Sequence, residues 1–360
     1  MAETRKSGLK FKRLFSEYSY AASFVLLLIL AAVVSGMKGT AFFRWTNISN
    51  IFTQTSTTGI IALGMMMVIC AGMIDISVGA QVAIISGFGI KMLNIFAAAN
   101  LAPWLSVAAM LVFCLLFGLL IGTFNGLLVS KGRMPAMIAT LATQNICRSI
   151  INHFGQGGPI TISTKTEAGN GAYNALRSVS VGYVPLGNIR VPIPMIMFIA
   201  AVALFCVIMQ RTKLGKHIYA VGSNENAARL AGVGTTFIKT AVFSITGLLC
   251  GFAAWLYASR VMAVAVASAG SLYEMDAIAA VAIGGTAMSG GRGKVLGTFL
   301  GVLMFKIIDN VLLMANVPTF LTRAISGAII IIAVLLQNVY GSGAQVSARR
   351  RVNAVSVGRT

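Results

Sequence analysis

Residues 211–233 read RTKLGKHIYAVGSNENAARLAGV, a basic and polar segment that lies between two long apolar runs, 191–210 and 240–257. Each apolar run is long enough to cross a bilayer as a helix, at a rise of about 1.5 Å per residue. A polar segment between two such runs is typical of a loop that connects membrane spans. The stretch therefore predicts an all-α polytopic membrane protein, with this loop on the cytoplasmic side.

The same segment contains the signals of a short, well-capped helix. Ser223 or Asn224 is suited to the N-cap, because its side-chain oxygen accepts a hydrogen bond from a free backbone N–H. Glu225 falls in the first turn, where the helix dipole favours a negative charge. Gly232 is suited to end the helix, because glycine adopts the left-handed conformation without steric cost. We expect a helix of two or three turns that a partner protein holds.

Composition indicates that lipid surrounds most of the chain. Hydrophobic residues make up 57% of the sequence and the mean hydropathy is +0.86, far above the values of soluble globular proteins. The formal charge is +20, but the basic residues occur in short groups between apolar runs, as in the positive-inside pattern of membrane proteins. The sequence has neither a basic stripe with interleaved aromatic residues nor a recognisable reader module, which excludes nucleic-acid binding.

The apolar runs predict about ten membrane spans. They are 20–37, 51–71, 77–95, 104–129, 135–151, 191–210, 240–257, 275–288, 295–315 and 318–337. If the N-terminus is cytoplasmic, the cytoplasmic segments hold 18 of the 28 lysines and arginines, and the opposite side holds six. An odd number of spans would break this bias, because it would place the arginines at 349–351 outside. Ten spans with both termini in the cytoplasm fit the charges best.

This topology predicts the organisation of the chain. A cytoplasmic tail, 1–19, precedes a transmembrane domain, 20–338, and a basic cytoplasmic tail, 339–360, follows it. The domain includes the cytoplasmic loop 211–239 and a periplasmic loop, 152–190. Because the periplasmic loop is rich in glycine, asparagine and serine, it suits a docking surface or an external gate. A passive connection is the alternative interpretation.

Two sets of glycines recur at a spacing of four residues. Small residues at this spacing allow helices to approach closely in lipid, where hydrophobicity does not drive helix association. We therefore expect both sets to be helix-packing positions. They are Gly118, Gly122 and Gly126 in the fourth predicted span, and Gly293, Gly297 and Gly301 near the ninth.

The sequence lacks motifs for catalysis, nucleotide binding and metal binding. Neither Gly–Lys dipeptide, at 215–216 or at 293–294, belongs to a phosphate loop, so another subunit would have to bind ATP. His153 and His217 lie in different segments without ligand spacing. The five cysteines occur singly in apolar runs, as small buried hydrophobic residues do. We expect no enzymatic activity, no cofactor and no bound metal.

A few acidic residues keep an alternative function open. An ion-coupled transporter normally places acids or histidines at mid-membrane. Asp75 lies at a span boundary, and Glu274 and Asp276 lie at the entry to the eighth span. Asp309 is three residues from Lys306, a spacing that favours an ion pair within one helix. An ion-coupled transporter of a small polar solute is therefore the alternative, and a purely structural membrane scaffold is a more remote one.

Three segments of the chain resemble a known family. They are GIIALGMMMVICAGMIDISVGAQVA at 59–83, TKLGKHIYAVGSNENAARLAGV at 212–233 and YEMDAIAAVAIGGTAMSGGRGKVLGTFLGVL at 273–303. In sequence and in order they closely resemble the permease subunits of bacterial ABC importers for simple sugars, the ribose and galactose class. The resemblance runs over nearly the whole chain. Related permeases serve nucleosides and a sugar-like signalling molecule, so the resemblance leaves the cargo open.

The resemblance implies an ABC importer permease fold in the bacterial cytoplasmic membrane. It also implies three kinds of protein partner: a second permease copy or a paralogue, ABC ATPase subunits, and a periplasmic or extracellular sugar-binding protein. The segment 223–232 then corresponds to the loop that contacts the ATPase. Its proposed coupling residues are Ser223, Asn224, Glu225, Ala227, Ala228, Arg229 and Gly232.

A sugar path would need neutral polar residues inside the membrane. A sugar is uncharged and rich in hydroxyl groups, and each unsatisfied polar group in hydrocarbon costs several kcal/mol. The intramembrane residues that we place beside the path are Gln54, Thr57, Thr58, Gln144 and Asn145. Hydrogen bonding between helices is the alternative role for each of them.

Overall fold

The structure is a computed structural model. It describes residues 24–318 except 26, 38, 40, 41 and 188, together with 321, 322, 324, 325, 327, 328 and 331. The predicted tails, 1–19 and 339–360, lie outside the described residues, as does most of the predicted tenth span. The chain forms two compact units, one made of Met1–Thr40 and Ile307–Thr360, the other of Ala41–Lys306. The described part of the first unit includes the short apolar helix α1, Leu27–Met37.

The second unit is mainly helical. In chain order its elements are α2 (Trp45–Cys70), α3 (Val78–Ala98), α4 (Pro103–Ser130), α5 (Ala136–Gly155), β1 (Pro159–Thr161), α6 (Glu167–Val181), β2 (Tyr183–Leu186), β3 (Ile189–Pro192), α7 (Ile193–Arg211), α8 (Lys213–Ser223), α9 (Glu225–Leu230), α10 (Thr235–Val261), β4 (Ala263–Ala265), α11 (Tyr273–Ile283) and α12 (Val295–Met314), the last of which continues into the first unit. The strands form two short antiparallel pairs, β1 with β4 and β2 with β3.

Helices α2 and α10 lie at the centre of the second unit. Helix α2 is buried at every residue from 55 to 70, and α10 packs against α4, α2 and α3. Helix α4 is at the rim instead, because leucines such as Leu116 and Leu120 are about two-thirds exposed on its outer side (60% and 64%). An apolar outer side is what a membrane protein presents to lipid. The core is therefore made around α2 and α10, and α4 directs bulky aliphatic residues outward from it.

Glycines bring α4 and α10 into backbone contact. A Cβ atom at Gly118 would meet the carbonyl oxygen of Gly247, and one at Gly122 would lie 2.9 Å from the Gly247 Cα. A Cβ at Gly126 would lie 2.8 Å from the Cα of Thr240. The hydroxyl groups of Thr123 and Ser244 add a hydrogen bond of 2.8 Å across the same seam. Because Gly247 has no side chain either, the seam depends on glycine in both helices.

The second glycine set contacts α11 and the end of α2. A Cβ at Gly297 would meet the carbonyl oxygen of Gly284, and one at Gly301 would meet that of Ala280. A Cβ at Gly293 would lie 2.5 Å from the Cys70 sulfur. The contacts on α11 lie close to its end, where Gly285 has a φ of +81° and turns the chain.

Within the described residues, six helices are long and apolar enough to cross a membrane: α2, α3, α4, α7, α10 and α12. The fold is therefore a polytopic helical membrane protein, and the count of about ten spans stays a prediction. Helix α5 has 20 residues but is too polar to qualify. Helix α11 has only 11 residues, about 16 Å at the usual rise, so it is shorter than the predicted eighth span.

The predicted loop at 152–190 is folded. It contains α6, whose buried side includes Ala172, Leu176 and Val179. Thr166 caps this helix, because its hydroxyl oxygen accepts a hydrogen bond of 3.1 Å from the Gly169 N–H. The hairpin of β2 and β3 follows. Alanines and a leucine at helical spacing give α6 an apolar face that packs on α4 and α10. Whether the segment is a docking surface, a gate or a passive connection stays a prediction.

Candidate functional site

Helices α8 and α9 form the loop that the sequence predicts to be cytoplasmic, and local hydrogen bonds determine where each helix begins. The Thr212 hydroxyl caps α8 by accepting a hydrogen bond of 3.3 Å from the Gly215 N–H. Asn224 is extended, with a φ of −162°, and its Oδ1 accepts a hydrogen bond of 3.0 Å from the Ala227 N–H. Gly232, with a φ of +81°, follows the end of α9. The structure thus places Asn224 at the N-cap and Gly232 at the stop.

The helix is shorter than the predicted two or three turns. Because Asn224 interrupts the helical run from Lys213, α9 has only six residues, fewer than two turns. Ser223 is the last residue of α8 and does not cap α9. Its Oγ and backbone lie against Gly291 instead.

The exposed surface of α9 differs from expectation at two residues. Ala228 is buried, with 5% of its surface exposed, and therefore packs inward instead of facing a partner. Leu230 was not singled out in the sequence, yet it is 89% exposed on a helix whose other exposed residues are polar or alanine. The remaining proposed coupling residues are all exposed: Ser223, Asn224, Glu225, Ala227, Arg229 and Gly232. Phe237, at the start of α10, adds a second exposed apolar side chain at 71%.

An ion pair joins α9 to α10. Lys239 Nζ lies 2.6 Å from Glu225 Oε1, and both side chains are partly exposed. The Arg229 guanidinium donates instead to Asn226 Oδ1 at 3.2 Å. Glu225 and Arg229 are four residues apart, a spacing that allows a pair within one helix, but Lys239 reaches Glu225 because α10 begins only five residues after α9 ends.

Gln54 lines a polar cavity of about 450 Å³ near the start of α2. Its other walls come from the end of α6, the β2–β3 hairpin and the end of α10. The full lining is Ser49, Asn50, Thr53, Gln54, Ser180, Val181, Gly182, Tyr183, Arg190, Pro192 and Arg260. The guanidinium of Arg190 lies 4.7 Å from the ring centre of Tyr183. No acidic residue lines this cavity, so its two arginines give it positive charge.

The other four predicted path residues divide between two helices. Thr57 and Thr58 are buried within α2, with 2% and 4% of their surfaces exposed. Gln144 and Asn145 belong to α5, which packs mainly on α3. Asn145 is exposed, whereas the Oε1 atom of Gln144 is buried and has no hydrogen-bond partner among the described residues. The five residues thus do not form one cluster within a single chain.

Helix α5 has a polar outer face toward its C-terminal end. Asn145, Arg148, Ser149 and Asn152 follow one another at i, i+3, i+4 and i+7, which places them on one side of a helix. Three of them are exposed, and Arg148 is partly buried, where its Nη1 donates a hydrogen bond of 2.5 Å to the carbonyl oxygen of Ala269. Exposed polar groups are unfavourable against lipid, so this face requires water or protein.

A buried polar network surrounds Asp75 in the break between α2 and α3. The Ser77 hydroxyl donates to Asp75 Oδ1 at 2.6 Å and accepts hydrogen bonds of 2.9 Å from the amides of Gln81 and Asn125. The Thr143 hydroxyl donates to Asn125 Oδ1 at 2.6 Å. The network connects α3, α4 and α5 and directs its donors toward the carboxylate. Sequence reasoning missed Gln81 and Asn125, although polar amides inside apolar runs were a visible signal.

The burial of Asp75 changes its acidity. The side chain has no exposed surface, and its Oδ2 has no hydrogen-bond partner in the described part of the chain. Burial raises the pKa of the Asp75 carboxyl to about 6, although hydrogen bonds from Ser77 oppose the shift.

The acids of α11 have different surroundings. Lys306 Nζ lies 3.5 Å from Asp276 Oδ2, so α12 and α11 share an ion pair. Glu274 is 6% exposed, and its Oε2 lacks a hydrogen-bond partner among the described residues. The pair of Lys306 with Asp309 stays a prediction. Over the described residues, no group of three or more histidines, cysteines or acids could hold a metal ion.

Comparison with known proteins agrees with this architecture. Residues 47–334 match the family described as the permease component of the branched-chain amino acid transport system. The chain is 38% identical over 320 residues to the ribose import permease protein RbsC of Haemophilus influenzae, an alignment that covers 89% of this chain and 93% of that protein.

Two further relatives are similar over comparable lengths. Identity to RbsC of Bacillus subtilis is 37% over 313 residues, covering 87% of this chain and 91% of the relative. Identity to the xylose transport system permease protein XylH of Escherichia coli is 30% over 372 residues, with 87% and 91% covered. No solved structure matches the chain. By the extent of the family match and of these identities, the chain belongs to this family of transport-system permease components.

Proposed function

We propose that the chain is the permease subunit of an ATP-driven, binding-protein-dependent importer that carries a monosaccharide across the bacterial cytoplasmic membrane. Relatives named for ribose import and for xylose transport support a simple sugar as the cargo. The sequence contains no phosphate loop, so a separate ABC ATPase supplies the energy. The permease itself is not an enzyme and needs no cofactor.

The exposed helix α9 is the observation that carries this proposal. Its two ends are held by Asn224 and Gly232, and the pair of Glu225 with Lys239 fastens it to α10. A short helix fixed in this way moves as a rigid body, and the exposed Leu230 offers an apolar contact. We assign α9 and its flanks as the coupling element that the ATPase grips. ATP-driven closure then selects between two states of the permease, open to opposite sides.

The translocation path would be lined by neutral polar groups. Gln54 faces the polar cavity, and Asn145 lies on the polar outer face of α5. Because that face does not suit lipid, we infer that it lies toward a second permease copy or a paralogue, with the path between the two. Thr57 and Thr58 are buried and Gln144 is partly buried, so they would support the path from inside the subunit. Neutral donors and acceptors of this kind replace the hydration of a sugar without binding it by charge.

The cavity lined by Arg190 and Arg260 suits the sugar-binding protein. Six lysines and arginines belong to the segments predicted outside, so the outer surface would be basic. A partner that docks there would present acidic side chains, because charge complementarity steers association and fixes its geometry. On this topology the chain has ten spans, both termini in the cytoplasm and 152–190 in the periplasm.

An ion-coupled transporter is the alternative that the buried acids favour. Asp75 and Glu274 each have a buried carboxylate oxygen without a partner among the described residues, as a proton or cation site would. Reconstitution decides between the two functions. The permease is placed in liposomes with its ATPase, and ATPase stimulation and uptake are measured with a panel of purified sugar-loaded binding proteins. We expect ATP-dependent uptake that persists when the proton gradient is collapsed. Uptake by the permease alone under an imposed ion gradient would contradict the proposal.

A further inference from the structure

The three sequence segments that carry the family resemblance meet at one place in the fold. Gly72 follows the end of α2, Gly222 lies near the end of α8, and Gly290 and Gly291 lie in the loop between α11 and α12. A Cβ atom at Gly222 would meet the carbonyl oxygen of Cys70 and would lie 2.8 Å from the Gly291 nitrogen. A Cβ at Gly290 would lie 2.8 Å from the Gly222 oxygen and 2.9 Å from the Gly72 Cα. We name these four residues the glycine junction.

Hydrogen bonds fasten the same three segments. The Gly291 N–H donates to the Cys70 carbonyl oxygen at 2.9 Å, which joins the loop to the end of α2. The Tyr219 hydroxyl donates to the Gly293 carbonyl oxygen at 2.9 Å, which joins α8 to the loop. Backbone atoms of Gly72, Cys70, Gly222, Gly290 and Gly291 therefore lie in direct contact, and the Tyr219 side chain adds a hydrogen bond between α8 and the loop.

The position of the junction connects it to both ends of the proposed mechanism. Gly222 is two residues before Asn224, the N-cap of α9. Gly72 is two residues beyond Cys70, the end of the helix that carries Gln54, Thr57 and Thr58. A displacement of α9 must shift Gly222, and close-packed interiors transmit such a shift because they are not continuously deformable.

We propose that the glycine junction passes the movement of α9 directly to α2 and to the loop before α12, so that Gly222 and Gly290 are positioning residues for energy coupling. This inference rests on the proposed function, because it requires an ATPase that moves α9. It adds that the ATPase reaches the path through backbone contact at these glycines. The glycines are needed because any side chain at Gly222 would separate α8 from α2.

Replacing Gly222 with alanine tests the junction. Gly222 does not have a positive φ, so Gly222→Ala changes the close contact without straining the backbone itself. Gly234→Ala is the matched control in the same loop. The nearest atom to the new Cβ would be the Cβ of Phe237, at an ordinary contact distance of 3.8 Å. We expect Gly222→Ala to bind the ATPase normally but to transport about 2- to 30-fold less sugar per ATP hydrolysed, the range for residues that carry coupling. The control should match the wild type.

Tyr219→Phe is a second test that is independent of glycine and decides the matter if Gly222→Ala fails to fold. It removes the hydrogen bond to Gly293 while keeping the ring in place. We expect a smaller loss of sugar transported per ATP, with ATPase binding unchanged. The inference is overturned if the folded variants keep the wild-type ratio, or if Gly222→Ala loses ATPase binding in step with uptake. Failure of the wild type to bind any ATPase would instead count against the proposed function.

Discussion

Leu230 is the side chain on which the proposed docking surface at α9 most depends. Its exposed fraction of 89% exceeds that of every other large apolar residue in the described chain. An exposed leucine is ordinary where it faces lipid, but α9 lies in a basic, polar segment that is predicted to be cytoplasmic. Burying a leucine side chain contributes about 1.5–3 kcal/mol, which makes Leu230 a strong candidate for the contact with the ATPase.

Leu230→Asp should weaken the complex with the ATPase. Losing about 1.5–3 kcal/mol corresponds to an increase in Kd of about 10- to 150-fold, measured by biolayer interferometry on permease in nanodiscs. Leu186→Asp is a matched control, because Leu186 is 69% exposed in the β2–β3 hairpin, on the side predicted to face the periplasm. Equal affinities for Leu230→Asp and the wild type would remove Leu230 from the coupling surface. Ala228→Trp does not serve this purpose, because Ala228 is buried and the variant would disturb the permease itself.

Asp75→Asn should reduce the pH dependence of stability. The pKa of Asp75 is raised by burial from 3.8 to about 6, so the folded state favours the protonated acid. Its contribution to the free energy of unfolding is therefore fully present below pH 4 and is lost as the pH rises through 6, by up to about 3 kcal/mol. Thermal unfolding between pH 4 and pH 7 should show a steeper fall for the wild type than for Asp75→Asn.

Glu167→Gln is the control for this comparison, because Glu167 is an exposed acid at the start of α6. It should keep the wild-type pH dependence. Asp75→Asn should also keep ATP-dependent uptake if the acid is structural. A well-folded Asp75→Asn protein without uptake would favour the ion-coupled alternative.

The seam between α4 and α10 shows why helices in this protein depend on glycine. Lipid tails are as apolar as leucine, so helix association in a membrane relies on close packing and hydrogen bonds between helices. Gly118 and Gly122 allow the backbone of α4 to approach Gly247 of α10, and the hydroxyl of Ser130 bonds that of Thr240 at 2.8 Å. The close packing of α4 on α10 is therefore specified by pairs of residues on the two helices and not by the spaced glycines of α4 alone.

Gly122→Val should destabilise the permease by separating α4 from α10. Its Cβ would meet the carbonyl oxygen of Phe243 and lie 2.9 Å from the Gly247 Cα, neither of which can rotate away. Overpacking of this kind costs about 1–3 kcal/mol, measured by thermal unfolding in detergent. Gly36→Val in α1 is the control, since no atom lies within 4 Å of its Cβ position. If Gly122→Val melted at the same temperature as the control, close packing of α4 on α10 at Gly122 would not contribute to stability.

At the scale of the molecule, the distribution of charge predicts how the partners dock. Basic residues outnumber acidic ones in the segments predicted on either side of the membrane. Those predicted outside include Arg190 and Arg260, the two arginines of the cavity near the start of α2. The double variant Arg190→Glu with Arg260→Glu should slow association of the sugar-loaded binding protein at low salt by about 10-fold or more, because electrostatic steering is reversed. Arg177→Glu, an exposed charge reversal on α6 outside the cavity, should have little effect. A similar loss for both would assign the effect to overall charge.

The orientation of the whole chain is tested by labelling. Single cysteines are placed at Asn224 and at Lys165, in a background without native cysteines, and treated with an impermeant thiol reagent. From the periplasmic side we expect labelling at 165 and none at 224, because the charge bias puts α9 in the cytoplasm. Labelling at 224 from outside would invert the topology and remove α9 from the reach of an ATPase.

Local interactions explain why part of the candidate site was predictable. The N-cap at Asn224 and the stop at Gly232 depend on residues within a few positions of one another, and both occur where the sequence predicts them. The limits of the apolar runs at α3, α4 and α12 are similarly close to the predicted ones. The length of α11 differs from the predicted eighth span. Its end at a pair of glycines depends on contact with Gly297 of α12, which the local sequence does not reveal.

By itself the sequence determined that lipid is the solvent, that the protein is helical and that a capped polar helix interrupts the spans, since these follow from composition and from short-range hydrogen bonds. Only the tertiary structure decided that Ala228 is buried, that Glu225 pairs with Lys239, and that Asp75 is the acceptor of a network across three helices. Each of these depends on groups brought together from distant parts of the chain, whose meeting is determined by packing. The same reason explains why three separate glycine-containing segments converge beside α9, where backbone contact needs a residue without a side chain from each.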